Sequence, residues 1–361
     1  MEKLLMDAYE NFAKIYASLA DEESKLLYRA NLAFCLSGQE TFFEMVYDLD
    51  KQKDFGWNEL MDNFDGKSKI VIFGCGGSGV FIYNSLRSMG YEVEAFSDNN
   101  AALWGTSKAN VPIISPTELA ERYADAFIIV AIWKMERCLE IKEQLIGLKC
   151  TNIYIPKYTG MILNLSKSQY FDDEILQPLD NEIFIDAGAF DGQTSVDFVN
   201  WCKRHNKSPK KSYVIEPTAE GIAKAYETVR ASGFSDILQV VEGGVAEKTG
   251  VLRFDSSAYD RGSSAISEVG EDRIKVYAID DLLDGSPATF IKMDIEGAEL
   301  SALKGAAETI RRHKPRLAIC CYHKKDDLII LPHYIRQLHS GYKFYLRKYT
   351  PHSGELVLYA V

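Results

Sequence analysis

The stretch Glu182-Ile-Phe-Ile-Asp-Ala-Gly-Ala-Phe-Asp-Gly-Gln-Thr-Ser195 constrains this chain most. Ile183, Phe184 and Ile185 make a short apolar β run that stops at Asp186. A turn follows, then a helix start that Thr194 or Ser195 could cap. Asp186, Gly188 and Gly192 spell Asp-x-Gly-x-x-x-Gly. Glycine has no Cβ, so backbone in such a turn can come close to a ligand. The next strand, Tyr213-Val-Ile-Glu216, ends in an acid 30 residues beyond Asp186. In a nucleotide-binding βαβ unit that position meets a ribose diol. Pyrophosphate-binding turns read Gly-x-Gly-x-x-Gly. This turn does not, so S-adenosylmethionine fits it better than NAD. The competing reading is an ordinary α/β turn with no ligand.

A second nucleotide-type turn lies upstream. Lys69-Ile-Val-Ile-Phe73 predicts a strand, and Gly74-Cys-Gly-Gly-Ser-Gly79 matches Gly-x-Gly-x-x-Gly at Gly74, Gly76 and Gly79. A helix is expected from about Val80 to Met89, then a strand over Val93–Ser97. Asp98 follows it, 19 residues past Gly79, at the ribose-contacting position of a dinucleotide fold. Residues 66–157 are thus expected to form a Rossmann-like α/β domain, too short for two full mononucleotide halves. Its remaining expected elements are an extended Val111–Pro116, a buried strand Ala126–Ala131, a helix Lys134–Leu148 and a strand Asn152–Ile155.

Before this domain, residues 1–62 read as helical, with a break and fresh start at Asp21-Glu-Glu-Ser, a stop at Ser37-Gly38 and another helix from about Glu40. They carry no visible chemistry, and packing or homo-oligomerisation is the plain expectation. Residues 158–181 read as a linker. Residues 182–361 alternate strands and helices, with core strands ending near Asp186, Glu216, Val241, Asp294 and Cys321. Tyr342–Lys348 and Glu355–Ala360 then predict an antiparallel hairpin. The fold class expected is α/β: a class I methyltransferase Rossmann-like sheet with a terminal β-hairpin, preceded by the smaller α/β domain and the helical segment. Dinucleotide dehydrogenases mostly end otherwise.

The net charge of −11 argues against a strongly basic nucleic-acid surface. The basic run Lys203–Lys211 reads as a solvated loop. Seven scattered cysteines, none in Cys-x-x-Cys, suggest neither a disulfide framework nor a zinc site. Free thiols in a reducing cytoplasm are expected. No apolar stretch approaches the roughly 20 residues that span a membrane, and the N-terminus has no continuous apolar signal core.

Three blocks carry a resemblance. Ile185-Asp-Ala-Gly-Ala-Phe-Asp-Gly-Gln-Thr-Ser195, Ile291-Lys-Met-Asp-Ile-Glu-Gly-Ala-Glu-Leu300 and Lys314-Pro-Arg-Leu-Ala-Ile-Cys-Cys-Tyr-His323 together resemble the FkbM family of S-adenosylmethionine-dependent methyltransferases. The likeness covers roughly residues 180–345, and the Lys-Met-Asp-Ile-Glu-Gly-Ala-Glu block is its most specific part. The upstream domain is similar, more loosely, to Rossmann-like domains that accompany some FkbM and sugar-modifying proteins. The resemblance implies S-adenosyl-L-methionine as cofactor, with Asp186, Gly188 and Gly192 at its methionine end and Glu216 on its ribose. Glu242 to Val245 would lie near the adenine.

Transfer of a methyl group to oxygen needs a proton acceptor and in-line geometry. Asp294 ends a strand, where doubly wound sheets place their sites. Glu296 lies in the next turn. Glu299 begins a helix, where an acid also suits the dipole. His323 ends the neighbouring strand and titrates near neutrality; a structural histidine is the competing reading. Lys292 shares a face with Asp294 and could hold Asp294 or Glu296 ionised. The expected catalytic set is therefore Asp294, His323, Glu296 and Lys292. Three carboxylates within six residues invite a metal, but the spacing matches no dedicated metal loop and none is expected. The leading function is O-methylation of a hydroxyl on a sugar, glycan precursor or natural product. The alternatives are an oxidoreductase or a nucleotide-sugar-binding protein acting through Gly74, Gly76, Gly79 and Asp98. Against an oxidoreductase, no Tyr-x-x-x-Lys pair follows that turn.

Overall fold

The computed structural model describes residues 11–37, 57–132, 135–156, 169–255, 265–266, 272–349 and 354–361. The helix expected from Glu40, the first part of the 158–181 stretch and residues 256–264 and 267–271 lie outside them. The described chain divides into two compact units. The smaller runs from 57 to 156. The larger takes residues 11–37 together with those from 169 on.

The smaller unit is a six-stranded sheet of β1 (Ile70–Phe73), β2 (Val93–Ser97), β3 (Ser107–Lys108), β4 (Val111–Ile114), β5 (Phe127–Val130) and β6 (Ile153–Tyr154), in the order β3-β4-β2-β1-β5-β6. All neighbours except β3 and β4 are parallel. β1 and β5 are wholly buried, as unbroken apolar runs covered on both faces should be. Helices Gly77–Ser88, Pro116–Tyr123 and Met135–Gly147 form the crossovers. The chain leaves β1 toward β2 and β4, then returns to β5 on the other side. The edge between the ends of β1 and β5 is therefore a topological switch point.

In the larger unit a seven-stranded sheet is built from β7 (Ile183–Ala187), β8 (Lys211–Glu216), β9 (Leu238–Glu242), β14 (Phe290–Met293), β15 (Arg316–Cys320), β16 (Phe344–Lys348) and β17 (Leu356–Ala360). Its order is β16-β17-β15-β14-β7-β8-β9. Only β17 runs against its neighbours, as the expected hairpin requires. Between β9 and β14 a small sheet of β10 (Gly244–Val245), β11 (Gly250–Asp255), β12 (Ala265–Ile266) and β13 (Asp272–Tyr277) branches off. An aromatic cluster of Phe171, Phe184, Phe198, Trp201 and Phe290 fills one side of the main sheet.

Three local expectations are corrected. Neither Thr194 nor Ser195 caps the helix Gln193–Arg204; Gly192 does, in the left-handed region, and the Asp191 carboxylate accepts from the Gln193 N–H at 3.0 Å. Ser195 instead turns inward to Asp186. The single helix expected over 299–313 is two, Glu299–Gly305 and Ala307–His313. Gly305 lies so close to the Ala246 carbonyl that a Cβ there would approach it to 2.0 Å. The stretch read as a linker ends as core, with Tyr170, Phe171 and Leu176 buried in the larger unit.

The N-terminal helices pack on the hairpin. Asp21 caps the helix Glu22–Ser37 through the Ser24 N–H at 2.8 Å. Arg347 of β16 reaches back to Asp21 at 2.7 Å and to Glu23 at 3.4 Å. Leu19 bridges to Phe344, and the Ser24 hydroxyl accepts from the Leu346 N–H at 2.9 Å. All seven cysteines are free thiols. Among the described residues no helix is long and apolar enough to cross a membrane.

Candidate active site

The parallel strands β7, β8, β14 and β15 point their carboxyl ends to one edge, and the expected site residues collect there. Gly188 has φ +76°, a conformation that favours glycine. A Cβ on it would lie 1.8 Å from the Asp294 carbonyl oxygen. The Asp-x-Gly turn after β7 thus presses directly on the turn after β14. The Asp294 N–H also donates to the Ala187 carbonyl at 3.1 Å.

Asp186 has a different neighbour from the expected ligand. Its carboxylate is 0 % exposed and lies 3.1 Å from the Lys292 ammonium, with the Ser195 hydroxyl donating at 2.8 Å. Lys292 therefore pairs with Asp186, not with Asp294 or Glu296 as expected. The register explains this, since Lys292 stands opposite Asp186 across the β14–β7 pair. The ammonium also donates to the Gly188 carbonyl at 2.8 Å, tying the pair to the turn. Burial would lower the Lys292 pKa, but the charges of Asp186 and Asp294 leave it raised and the side chain a cation.

Glu216, at the end of β8, accepts from the N–H of Phe190 at 2.9 Å and of Thr218 at 2.9 Å, and from the Thr218 hydroxyl. A carboxylate offers about four acceptor sites, so one remains for a ligand hydroxyl. Its Phe190 bond ties the end of β8 to the Gly188–Gly192 turn.

His323 is the hub of the acidic end. Its Nδ1 lies 2.9 Å from Glu299, whose side chain is fully buried. Its Nε2 faces Asp294 at 3.4 Å and Glu296 at 3.6 Å without a hydrogen-bond partner of its own. Burial pulls the His323 pKa down, but the Glu299 bond and the charges of Glu299, Asp294 and Glu296 outweigh it and raise it to about 9. The ring is an imidazolium at neutral pH. Glu296 is pushed the other way: burial raises it to about 7, against the pull of His323. Glu296 also holds φ +54°, a strained conformation for a side-chain-bearing residue. About a third of its side chain is exposed, more than that of Asp294 or Glu299.

Sequence reasoning missed three contributors. The Tyr170 hydroxyl donates to Asp294 at 2.9 Å. Gln169 donates to the Tyr170 oxygen at 2.9 Å and to Glu355 in the hairpin turn. Tyr322 stands 3.4 Å from the other Asp294 oxygen. The adjacent aromatics Tyr170-Phe171 were the one signal that this supposed linker is buried. Among the described residues no group of His, Cys, Asp and Glu is arranged to hold a metal ion.

Residues 186–344 match the model of the methyltransferase FkbM domain. The chain carries an FkbM methyltransferase domain. That domain makes this protein a methyltransferase. Residues 66–155 match a second model, C2185-like, N-terminal. Among solved structures the chain is similar to methyltransferase FkbM from Methylobacillus flagellatus KT, at 24 % identity over 84 % of this chain and 92 % of that one, with a TM-score of 0.49. It is more distantly similar to precorrin-6y C5,15-methyltransferase from Geobacter metallireducens GS-15, at 13 % identity over 55 % of this chain and 85 % of that one, with a TM-score of 0.33. A SAM dependent methyltransferase from Aquifex aeolicus is similar at 17 % identity over 56 % of this chain and 96 % of that one, with a TM-score of 0.30. No curated protein matches. In the FkbM domain the matched span begins at Asp186 and takes in the whole Asp294–Glu299 and His323 cluster.

The smaller unit shows the same plan with other contents. Gly74 has φ +101°, and a Cβ on it would lie 2.9 Å from the Ala131 carbonyl, at the end of β5. A Cβ on Gly79 would lie 1.9 Å from the Gly74 carbonyl. Around Gly76 nothing stands within 4 Å of such an atom. Asp98 accepts from the Cys75 N–H at 3.1 Å and from its thiol at 3.2 Å.

Proposed function

We propose that this enzyme methylates a hydroxyl group of a sugar, glycan precursor or related natural product. The observation that carries the reading is Glu296: a partly exposed carboxyl with its pKa near 7, beside the cationic His323, on the edge where the turns after β7 and β14 touch.

S-adenosylmethionine supplies the methyl group and departs as S-adenosylhomocysteine. Gly188 and Gly192 let the turn pack against Asp294 and against Val214 and Ala225, and the remaining acceptor site of Glu216 suits a ribose hydroxyl. Asp186 works from behind, through Lys292 and the Gly188 carbonyl, to hold the turn. On the acceptor side Asp294, fixed by Tyr170, takes a hydrogen bond from the substrate hydroxyl and orients it. Glu296 receives the proton as the new carbon–oxygen bond forms. A base with a pKa near the working pH is the effective choice. His323 is already protonated and cannot take that proton. It stabilises the ionised form of Glu296 before transfer.

The test has two stages. Calorimetry with S-adenosylhomocysteine should give saturable binding that Glu216→Ala weakens by roughly 1.5–3 kcal/mol, the scale of a hydrogen bond to a charged group. A panel of sugars, nucleotide sugars and phenols should then yield S-adenosylhomocysteine with a methyl ether as co-product. Methylation confined to amines or carbon atoms would sink the hydroxyl assignment.

A further inference from the structure

We propose that the smaller unit binds a nucleoside diphosphate group, free or sugar-linked. The diphosphate lies on the Gly76-Gly77-Ser78 backbone, the ribose at Asp98 and the base against Trp104.

The three glycines of the Gly-x-Gly-x-x-Gly pattern, Gly74, Gly76 and Gly79, do two different jobs. Gly74 and Gly79 make contacts inside the protein that forbid a side chain, as their Cβ clashes with Ala131 and Gly74 show. Gly76 has no such excuse. It is exposed, its φ lies outside the positive region, and a Cβ there meets open space. A missing side chain that nothing in the protein demands is what close approach of a ligand would require. The N–H groups of Gly76, Gly77 and Ser78 find no acceptor among the described residues. They open the helix Gly77–Ser88, which has no acidic residue in its first turn. Such a terminus carries partial positive charge and free donors.

A second, independent observation points to a ligand. The Ser78 side chain is 4 % exposed, and its hydroxyl has no hydrogen-bond partner. Cα–Cβ bonds tilt toward a helix N-terminus, so this hydroxyl in the first turn leans toward the glycine turn. The Ser97 hydroxyl, at the end of β2 beside the turn, is likewise buried and unpartnered. Unpaired buried hydroxyls are costly and rare. Lys108 brings a cation to the same turn, donating to the Cys75 carbonyl at 2.9 Å.

The remaining two features select a nucleoside over a bare anion. Asp98 ends β2 where a ribose diol is met. Trp104 leaves 42 % of its surface open, and its indole N–H donates to the Asp98 carbonyl at 2.7 Å. That bond holds an aromatic face next to the acid, ready to stack on a base. Beyond the switch point the sheet offers only β5 and the two-residue β6. That is too little for a second nucleotide, so one nucleoside diphosphate is the ligand rather than a dinucleotide.

The full-length protein, saturated with S-adenosylhomocysteine to block its other adenosine site, should be titrated calorimetrically with UDP, ADP, NAD and inorganic pyrophosphate. UDP or ADP should saturate it. Gly76→Val should reduce that binding at least ~10-fold with the melting temperature unchanged, because the new side chain fills only ligand space. Trp104→Ala, at an exposed position, should weaken it about 10-fold. Failure of both nucleotides to bind at millimolar concentration overturns the proposal. So does binding that neither variant weakens. Pyrophosphate binding as tight as the nucleotides would overturn the nucleoside part, and NAD binding tighter than ADP would overturn the single-nucleotide part.

Discussion

The two glycine turns begin alike and are closed by different chemistry. In both, the first glycine has positive φ and packs against the turn beyond the neighbouring strand: Gly74 on Ala131, Gly188 on Asp294. In the smaller unit that neighbour is apolar, and the turn is braced by Asp98 through the Cys75 N–H. In the larger unit the neighbour is the first residue of an acidic site, and the brace is a buried ion pair of Lys292 and Asp186. The first turn keeps its acid at the surface and its helix N–H groups open. The second locks its acid inside and hands the surface to Glu296 and His323. One backbone device thus underlies the docking site proposed in one unit and the reaction site proposed in the other.

The strongest way to break the comparison is Gly188→Ala or Gly79→Ala. Each added Cβ would meet a backbone oxygen within 2 Å. Each should cost about 3–5 kcal/mol from overpacking, with strain added at Gly188. Denaturant melts should show which unit fails; a full-stability variant would mean that the turns are not mutually packed. Next in size is Glu296→Gln, which should lower kcat by about 10²–10⁴-fold with S-adenosylhomocysteine affinity intact. A loss seen only in Asp294→Asn would move the proton acceptor there.

The pH profile sharpens the same point. Glu296 must be ionised, so the rate should rise through about pH 7; His323 must stay protonated, so it should fall through about pH 9. Glu296→Gln should remove the acidic limb. A profile with no change near pH 7 would remove Glu296 from the reaction. The same histidine affects stability. Its folded pKa is raised above the unfolded 6.5, so its ion-pair contribution is complete below about pH 6.5 and lost as pH climbs through 9. Replacing it with Gln should therefore cost more stability at pH 6 than at pH 10, on the order of 2–3 kcal/mol. The smallest effect belongs to Tyr170→Phe. Removing one donor to Asp294 should slow turnover about 10-fold, with substrate and cofactor affinities nearly unchanged.

Strands β1 and β5 were legible because fully buried parallel strands read as unbroken apolar runs; β7, β14 and β15 were legible as mainly apolar runs that carry Asp186, Lys292 and Arg316. Asp186 at the end of β7 and Asp294 just after β14 marked the edge where Asp294, Glu296 and His323 meet. The partner of Lys292 was readable only once β7 was known to lie beside β14, because alternation gives the face but not the neighbour. Tyr170 and Glu355 were not legible. They come from an apparent linker and a hairpin turn, and their link to Asp294 spans 124 residues in the case of Tyr170. The charge of His323 was equally hidden, since it depends on three carboxylates that only the folded chain assembles around one ring.

The clasp between Asp21, Ser24 and Arg347 has a consequence for the order of events during synthesis. Its partners are separated by 326 residues in the case of Asp21 and Arg347. The opening helix therefore leaves the ribosome long before the edge strand it covers. The whole smaller unit is made in the interval, and it can be finished while its host is still a fragment. The catalytic half closes only when the final hairpin emerges and finds the waiting helix. A truncation that removes either end should leave the inserted unit foldable and the methyltransferase incomplete.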